Sequence, residues 1–301
     1  MLIENTLFGT KDKVAEAIEV LQLMEPPEGY WVAFSGGKDS VTVKALCDMA
    51  KVKYEAHYSV TSVDPPELVR FIKDKYPDVS FDIPQDRNGK PITMWNLIPK
   101  EKAPPTRLMR YCCEELKESA GEGRLTVTGV RWAESSRRTK SQGHATSINT
   151  KGLDTDLGTK TAQGGIVLNM DNAESRELVE SCYRHRKILL NPIIEWTDEE
   201  VWEFIHTYKV PYCELYDRGH KRLGCIGCPM GGAEGMKQQF AEYPKYEQAY
   251  LRAFKRMLDE RNKNGLDTTK WDTPEAVMEW WLGDKTDKPI EGQIEMFEDK
   301  E

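Results

Sequence analysis

The sequence predicts an α/β protein: an open, mainly parallel sheet with helices on both faces, followed by a helical C-terminal region. Three observations lead there. Short apolar runs alternate with helically spaced segments from Tyr30 to Val130, an order that implies parallel strands joined by crossover helices. The first strand-to-helix turn is glycine-rich, at Ser35-Gly36-Gly37, and beyond Trp196 separate segments with helical apolar spacing follow as far as Trp281.

Taken in order, Lys11 to Met24 carries Val14, Ile18, Leu21 and Met24 on one stripe and stops at Pro26-Pro27, which predicts an amphipathic helix. Tyr30 to Phe34 reads as a strand and Asp39 to Ala50 as the helix after it. Lys53 to Val60 is a second strand. Asp64-Pro65-Pro66-Glu67 then opens a helix, with proline tolerated in its first turn. Val79 to Ile83 and Leu125 to Val130 are further strands, separated by a helical segment from about Thr106 to Ala120. Ile188 to Ile194 is apolar again, and Thr197-Asp198-Glu199-Glu200 matches a capping box ahead of the stripe Val201, Trp202, Ile205 and Tyr208. Helices are expected at Ala233 to Phe240, Tyr246 to Arg261 and Thr273 to Trp281. The expected organisation is an α/β domain over 1–195, with a long Ser-, Thr- and Gly-rich loop over its site at 131–165. A helical region over 196–283 and an acidic tail over 284–301 follow. No internal repeat is visible.

Hydrophobic residues make up 39% of the 301, and no apolar run approaches the roughly 18 residues that a membrane span needs, so no membrane partner is expected. MLIENTLFGTKDK does not read as a secretory signal, and the seven cysteines are therefore expected in a reducing cytoplasm. The net charge of −8 argues at first against nucleic acid. Its distribution weakens that exclusion, because Asp259 to Glu301 holds 13 acidic against 6 basic residues and accounts for −7 of the total. Basic patches recur in the remainder, at Arg124 to Lys140, Arg184 to Lys187 and Arg218 to Arg222, with His185 and His220 inside the last two. Removal of the tail beyond Gly283 is expected to leave the site intact.

Ser35-Gly36-Gly37-Lys38-Asp39-Ser40 carries the first chemistry. Two glycines allow close backbone approach, and the amides of the helix start, Lys38 and two hydroxyls favour a phosphate or sulfate. The spacing differs from GxxxxGKS, so this is not the common ATPase P-loop. A second motif pairs Cys112-Cys113 with Cys225-Ile226-Gly227-Cys228. Four thiolates suit a [4Fe–4S] cluster or a structural zinc; buried unligated thiols or a redox dithiol are the plainer alternatives. A third places Gly129-Val130-Arg131 after a strand, near Glu134, Ser135, Arg137 and Arg138, with arginines positioned to take an anion bidentately. Upstream, Pro104-Pro105-Thr106-Arg107 and Arg110 add candidate anion contacts.

The turn SGGKDS resembles the PP-loop of the adenine-nucleotide α-hydrolase superfamily. With the CC…CxxC pattern and the glycine-x-arginine turn, the segment from about Tyr30 to Pro229 resembles the phosphoadenosine phosphosulfate (PAPS) reductase family, in particular its iron–sulfur, phage and anaerobe members. Val63 to Glu67, Asn191-Pro192-Ile193-Ile194 and the helix from Trp196 resemble segments of those members. The resemblance implies a nucleotide-binding 1–195 domain. Ser35, Gly36, Gly37, Lys38, Asp39, Ser40, Gly129 and Arg131 would contact ATP or a phosphosulfate nucleotide, with Mg²⁺ as an accompanying ion near Asp39. Lys38, Arg131 and Arg137 would serve the chemistry, and Arg107, Arg110 and Lys117 the substrate anion. Cys112, Cys113, Cys225 and Cys228 would hold a [4Fe–4S] cluster, in preference to zinc.

One departure matters. Reductases of the family use a C-terminal nucleophilic cysteine, whereas the last cysteine of this chain is Cys228. Reduction would need Cys182, Cys213 or a partner's thiol, together with an external thiol or electron donor. The alternatives are an ATP pyrophosphatase that activates nucleic acid for sulfur insertion, as in DNA phosphorothioation, served by a sulfur-donor protein, or a non-catalytic nucleotide- and DNA-binding regulator. A homo-oligomer is expected.

Overall fold

Residues 1–6, 9–107, 109–118, 120–134, 187–269 and 271–283 are described by the computed structural model, with the backbone of strands at 145–148, 158–160, 166–168 and 179–182. Two antiparallel strands, β1 (Ile3–Thr6) and β2 (Gly9–Asp12), precede α1 (Lys13–Leu23). The apolar spacing predicts this helix from Lys11. It starts later because Oδ1 of Asp12 accepts from the amides of Val14 at 3.0 Å and Ala15 at 3.1 Å, satisfying two orphan donors there.

The remaining elements of the sheet follow the expected alternation: β3 (Tyr30–Ala33), α2 (Lys38–Ala50), β4 (Tyr54–Ser59), α3 (Pro66–Lys75) and β5 (Ser80–Asp82). Next come α4 (Met94–Glu101), which the sequence pattern does not reveal, and a single turn at Tyr111–Cys113 running into a π-helix at Glu114–Glu118. That pair replaces the longer helix expected from Thr106 to Ala120. The helical spacing is real, but Thr106 Oγ1 accepts from the Met109 amide at 2.9 Å in a turn ahead of Tyr111, and the glycines Gly121 and Gly123, both at positive φ, end the segment. Strands β6 (Leu125–Val127), β7 (Ala145–Ile148), β8 (Gly158–Lys160), β9 (Ile166–Leu168), β10 (Val179–Cys182) and β11 (Lys187–Leu190) follow. Helices α5 (Asp198–Thr207), α6 (Gly232–Glu242), α7 (Pro244–Lys263) and α8 (Pro274–Leu282) complete the chain.

Seven strands form one sheet in the order β10-β7-β11-β6-β3-β4-β5, parallel except between β7 and β11. β3 lies between β6 and β4, with Val32 opposite Val127 on one side and Ala56 on the other. From β3 the chain proceeds through α2 to β4, while β6 enters later on the opposite flank. The carboxyl end of β3 is therefore a topological switch point, where open α/β sheets place their ligands.

The sheet belongs to a unit made of 1–92 and 113–224. Its core includes Leu21, Tyr30, Val32, Val41, Leu46, Phe204 and Trp196, all nearly free of solvent. Each such side chain contributes about 1.5–3 kcal/mol relative to exposure. The Tyr30 hydroxyl, which burial would otherwise leave unsatisfied, donates to the carbonyl of Leu21 at 2.7 Å. A second unit comprises 93–112 and 225–301. In it α4 packs on α7, and Phe240, Tyr250, Phe254 and Trp281 form an aromatic core. The sequence pattern places the change to helical structure at 196; α5 belongs to the first unit.

Candidate phosphate-loop and thiol sites

The first site grows directly from β3. Gly36 holds φ at +73°, and a Cβ there would come within 2.8 Å of Leu68 and Ile72, so the turn admits no side chain at this position. Gly37 then serves as the N-cap of α2 without any side-chain cap. Ser35 and Ser40 tie the loop across its width: the Ser35 amide donates to Ser40 Oγ at 3.2 Å, and Ser40 Oγ donates to the Gly37 carbonyl at 2.9 Å. On the neighbouring strand's exit, a Cβ on Gly129 would lie 2.9 Å from the backbone of Asp39. The glycine lets the β6 turn press against the first turn of α2.

Lys38, only 6% exposed, reaches Asp39 Oδ2 at 3.2 Å and Asp198 Oδ1 at 3.4 Å. Its amide donates to the Tyr216 hydroxyl at 2.8 Å. Arg131 is completely buried, with Nε donating to Asp39 Oδ1 at 2.6 Å and Nη1 to the Trp196 carbonyl at 3.1 Å. Nη2 bonds to the same Asp198 oxygen that meets Lys38. A buried guanidinium requires this kind of saturation. Two cations and two carboxylates thus interlock beneath the loop. Burial would raise the Asp198 carboxyl, but the hydrogen bond from Arg131 and the charge of Lys38 prevail and hold it below the usual range. Burial pushes the Tyr216 phenol well up, so it is a neutral hydroxyl here.

The structure therefore brings Ser35, Gly36, Gly37, Lys38, Asp39, Ser40, Gly129 and Arg131 together. Arg131 holds the loop's carboxylates rather than projecting freely from the sheet edge. Both Asp39 oxygens face side-chain cations, so a Mg²⁺ ion would have to compete with two fixed charges. Ser135, Arg137, Arg138, His185 and most of the 131–165 segment lie outside the described residues, as do Arg184 to Arg186 and the 284–301 tail. The sequence pattern does not mark Asp198 or Tyr216 as site residues. Asp198 was legible only as part of a capping box, and nothing near Tyr216 marks it.

The second site lies in the unit of 93–112 and 225–301. Between Cys225 and Cys228, Gly227 has φ of +72°, and a Cβ there would stand 2.7 Å from Phe240 and 3.1 Å from Tyr250. Its amide donates to Gln239 Oε1 at 2.9 Å, while the Tyr250 hydroxyl donates to the Ile226 carbonyl at 2.9 Å. The CxxC turn is thereby clamped onto the aromatic core. Burial pushes the Tyr250 phenol far above its ordinary range, and Cys225, Cys112 and Cys228 press it the same way. Arg107 Nε donates to the Pro229 carbonyl at 3.2 Å, just past the turn, and Arg110 belongs to the same unit. Cys113 and Lys117 fall in the other unit.

Cys112, Cys113, Cys225 and Cys228 stand as half-buried thiols. Donor type and the glycine-shaped turn fit a thiolate-ligated centre. Among the described residues, however, no three His, Cys, Asp or Glu side chains are grouped as a metal-binding set. Outside these four, burial pushes the Cys47 thiol up to about 12 and raises that of Cys213, leaving both as protonated, inert groups. The side chain of Cys182 lies outside the described residues.

No described helix is long and apolar enough to cross a membrane. The protein MJ0973 of Methanocaldococcus jannaschii is 26% identical over 245 residues, covering 78% of this chain and 48% of that protein. The adenosine 5'-phosphosulfate reductase of Pseudomonas aeruginosa is 28% identical over 212 residues, covering 66% of this chain and 65% of the enzyme. The chain thus spans about half the length of the first curated relatives it matches. Among solved structures, the PAPS reductase of Candida auris in its phosphate complex aligns with a TM-score of 0.40 at 14% identity, covering 70% of this chain and 87% of that one. The model of the phosphoadenosine phosphosulfate reductase domain matches residues 29–230, about two thirds of the chain, and the protein belongs to that family.

Proposed function

We propose that this chain is an enzyme that binds an adenine nucleotide, either ATP or a phosphosulfate, at Ser35 to Ser40 and acts in sulfur transfer or reduction. The observation that carries the reading is the loop itself. A helix start whose N-cap, Gly37, has no capping side chain follows a glycine turn at the switch point of a parallel sheet, with buried Lys38 beside it. Glycine amides and the Ser35 hydroxyl would take phosphate oxygens, and Lys38 would neutralise charge that develops on them during transfer. Arg131 would keep Asp39 and the helix start in register, and Arg137 would add charge from the 131–165 segment. Cys112, Cys113, Cys225 and Cys228 would hold a [4Fe–4S] cluster, which when bound supplies positioning and electrostatic tuning, with Arg107, Arg110 and Lys117 supplying the positive charge for the substrate anion.

Between the two chemistries, ATP cleavage to AMP and pyrophosphate is favoured by one specific observation. Cys47 and Cys213 are buried and held protonated, which makes neither a ready nucleophile for sulfate sulfur. The acceptor in that reading is a nucleic acid activated as an adenylate, with sulfur delivered by a donor protein. Anaerobic assay of the reconstituted protein with ATP and with phosphosulfate, side by side, separates the cases. Pyrophosphate release without any need for phosphosulfate supports the second chemistry. Thiol-dependent sulfite formation supports the first, and turnover of neither with retained DNA binding leaves a regulator.

A further inference from the structure

We propose that Asp198 is a built-in stand-in for the anion of the phosphate loop: its carboxylate holds Lys38 and Arg131 in the free protein, and an incoming phosphate displaces it. The inference rests on the reading that Ser35 to Ser40 bind phosphate. One oxygen of Asp198 bridges Lys38 Nζ, at 3.4 Å, and Arg131 Nη2. That is the bond pattern a phosphate oxygen makes between two cations.

The two carboxylates of the network differ in how firmly they are held. Asp39 is 19% exposed, sits on α2 and uses one oxygen for Arg131 Nε at 2.6 Å and the other for Lys38 at 3.2 Å. Asp198 has a side chain 58% exposed and engages both cations through one oxygen. Its position at the start of α5 does not oblige it to stay. The helix is capped by its neighbours: Thr197 Oγ1 accepts from the Glu200 amide at 3.3 Å, and Glu200 Oε2 accepts from the Thr197 amide at 2.9 Å. The carboxylate of Asp198 can rotate into water without undoing the helix start.

Charge counting gives the consequence. With Asp198 in place, Lys38 and Arg131 are balanced by two carboxylates, and an anion meets no net attraction from this network. Once Asp198 leaves, one positive charge is uncompensated beneath the glycine turn. The occupied state lowers apparent affinity for any anion by the fraction of molecules that are open. A ligand with several phosphate contacts overcomes this more readily than a single small anion.

The test is calorimetric titration of the full chain with inorganic pyrophosphate, for the wild type, Asp198→Asn, Asp198→Ala, Lys38→Ala and the double variant Lys38→Ala/Asp198→Asn. Both Asp198 variants are expected to bind about tenfold more tightly than wild type, as removal of such a competitor implies, and the gain is expected to vanish in the double variant. Damage to the fold does not produce tighter binding. Equal or weaker binding by both Asp198 variants, while wild-type binding still depends on Lys38, overturns this proposal and leaves the phosphate-loop reading standing. Lack of Lys38-dependent binding in every protein overturns that reading and the proposal together. Failure of both Asp198 variants to fold identifies the residue as a structural tie and also overturns it.

Discussion

Arg131 Nε donates to Asp39 Oδ1 at 2.6 Å from a guanidinium with no solvent exposure. The arginine leaves the end of β6 and the aspartate opens α2, so a single buried ion pair ties the two turns that flank the switch point. Its partners on the far side, the Trp196 carbonyl and Asp198, extend the tie to the start of α5.

Truncation of this arginine takes from Asp39 one of its two counter-ions and leaves it only Lys38. Arg131→Ala is expected to cost about 3–5 kcal/mol, the usual loss when one member of a buried pair is removed. Arg131→Lys keeps the charge but lacks the planar fork that serves three acceptors at once, so it should remain clearly destabilised. Thermal and denaturant unfolding of the purified variants measures both, and a wild-type melting profile for Arg131→Ala contradicts the role of Arg131 as the tie between these turns.

Lys38 and Tyr216 act on the loop in separable ways. Lys38→Ala is expected to lower nucleotide affinity at least about tenfold, the loss of one charge-assisted contact, with the fold retained. Tyr216→Phe removes only the acceptor of the Lys38 amide and should cost about 1 kcal/mol of stability without lowering affinity. Calorimetric binding together with melting curves resolves the two. Unchanged ATP and phosphosulfate affinity in Lys38→Ala means that the site lies elsewhere.

Acid sensitivity should trace in part to Glu200. Burial would raise its carboxyl, but Lys13 Nζ at 2.7 Å and the Thr197 amide at 2.9 Å override that and hold it below the ordinary range. A carboxylate with a lower pKa in the folded chain than in the unfolded one stabilises above the unfolded value, and that contribution fades as pH falls through the folded value. From about pH 4.3, the unperturbed glutamate value, downward, wild type should lose stability more steeply than Glu200→Gln. At neutral pH the variant should be the weaker by about 3 kcal/mol. Urea midpoints from pH 7 to pH 3 give the comparison; parallel curves contradict it.

At the CxxC turn, Gly227→Ala forces a Cβ to within 2.7 Å of Phe240 at a positive φ. A cost of about 1–3 kcal/mol follows from strain at such a backbone. Anaerobically reconstituted wild type is expected to be brown, with Gly227→Ala loading less iron and Cys225→Ser losing the colour. A colourless wild type holding one zinc ion would sink the cluster assignment.

Local signals account for what was legible beforehand. The β3 turn and α2 followed from apolar runs, glycines and hydrophobic spacing within a dozen residues of one another. The α5 capping box, spelled by Thr197 and Glu200, is present with both of its hydrogen bonds. The start of α1 moved by two residues because one carboxylate, Asp12, outweighed the apolar periodicity. Helix α4 was hidden because its short apolar stripe, Met94, Leu97 and Ile98, is interrupted by Pro99 near its end.

By itself the sequence determined the α/β alternation, the phosphate-loop motif and the candidate thiols, since each is written in neighbouring residues and enforced by local sterics and hydrogen bonding. Only the tertiary structure decided what Arg131 does. It pairs with a carboxylate 92 positions away and another 67 away, and a charge sealed from water must find such partners wherever the fold supplies them. The same holds for Tyr216 at the Lys38 amide, 178 positions distant. Long-range electrostatic and hydrogen-bond complementarity leaves no periodicity in a chain, and it arises only once the sheet has brought those turns together.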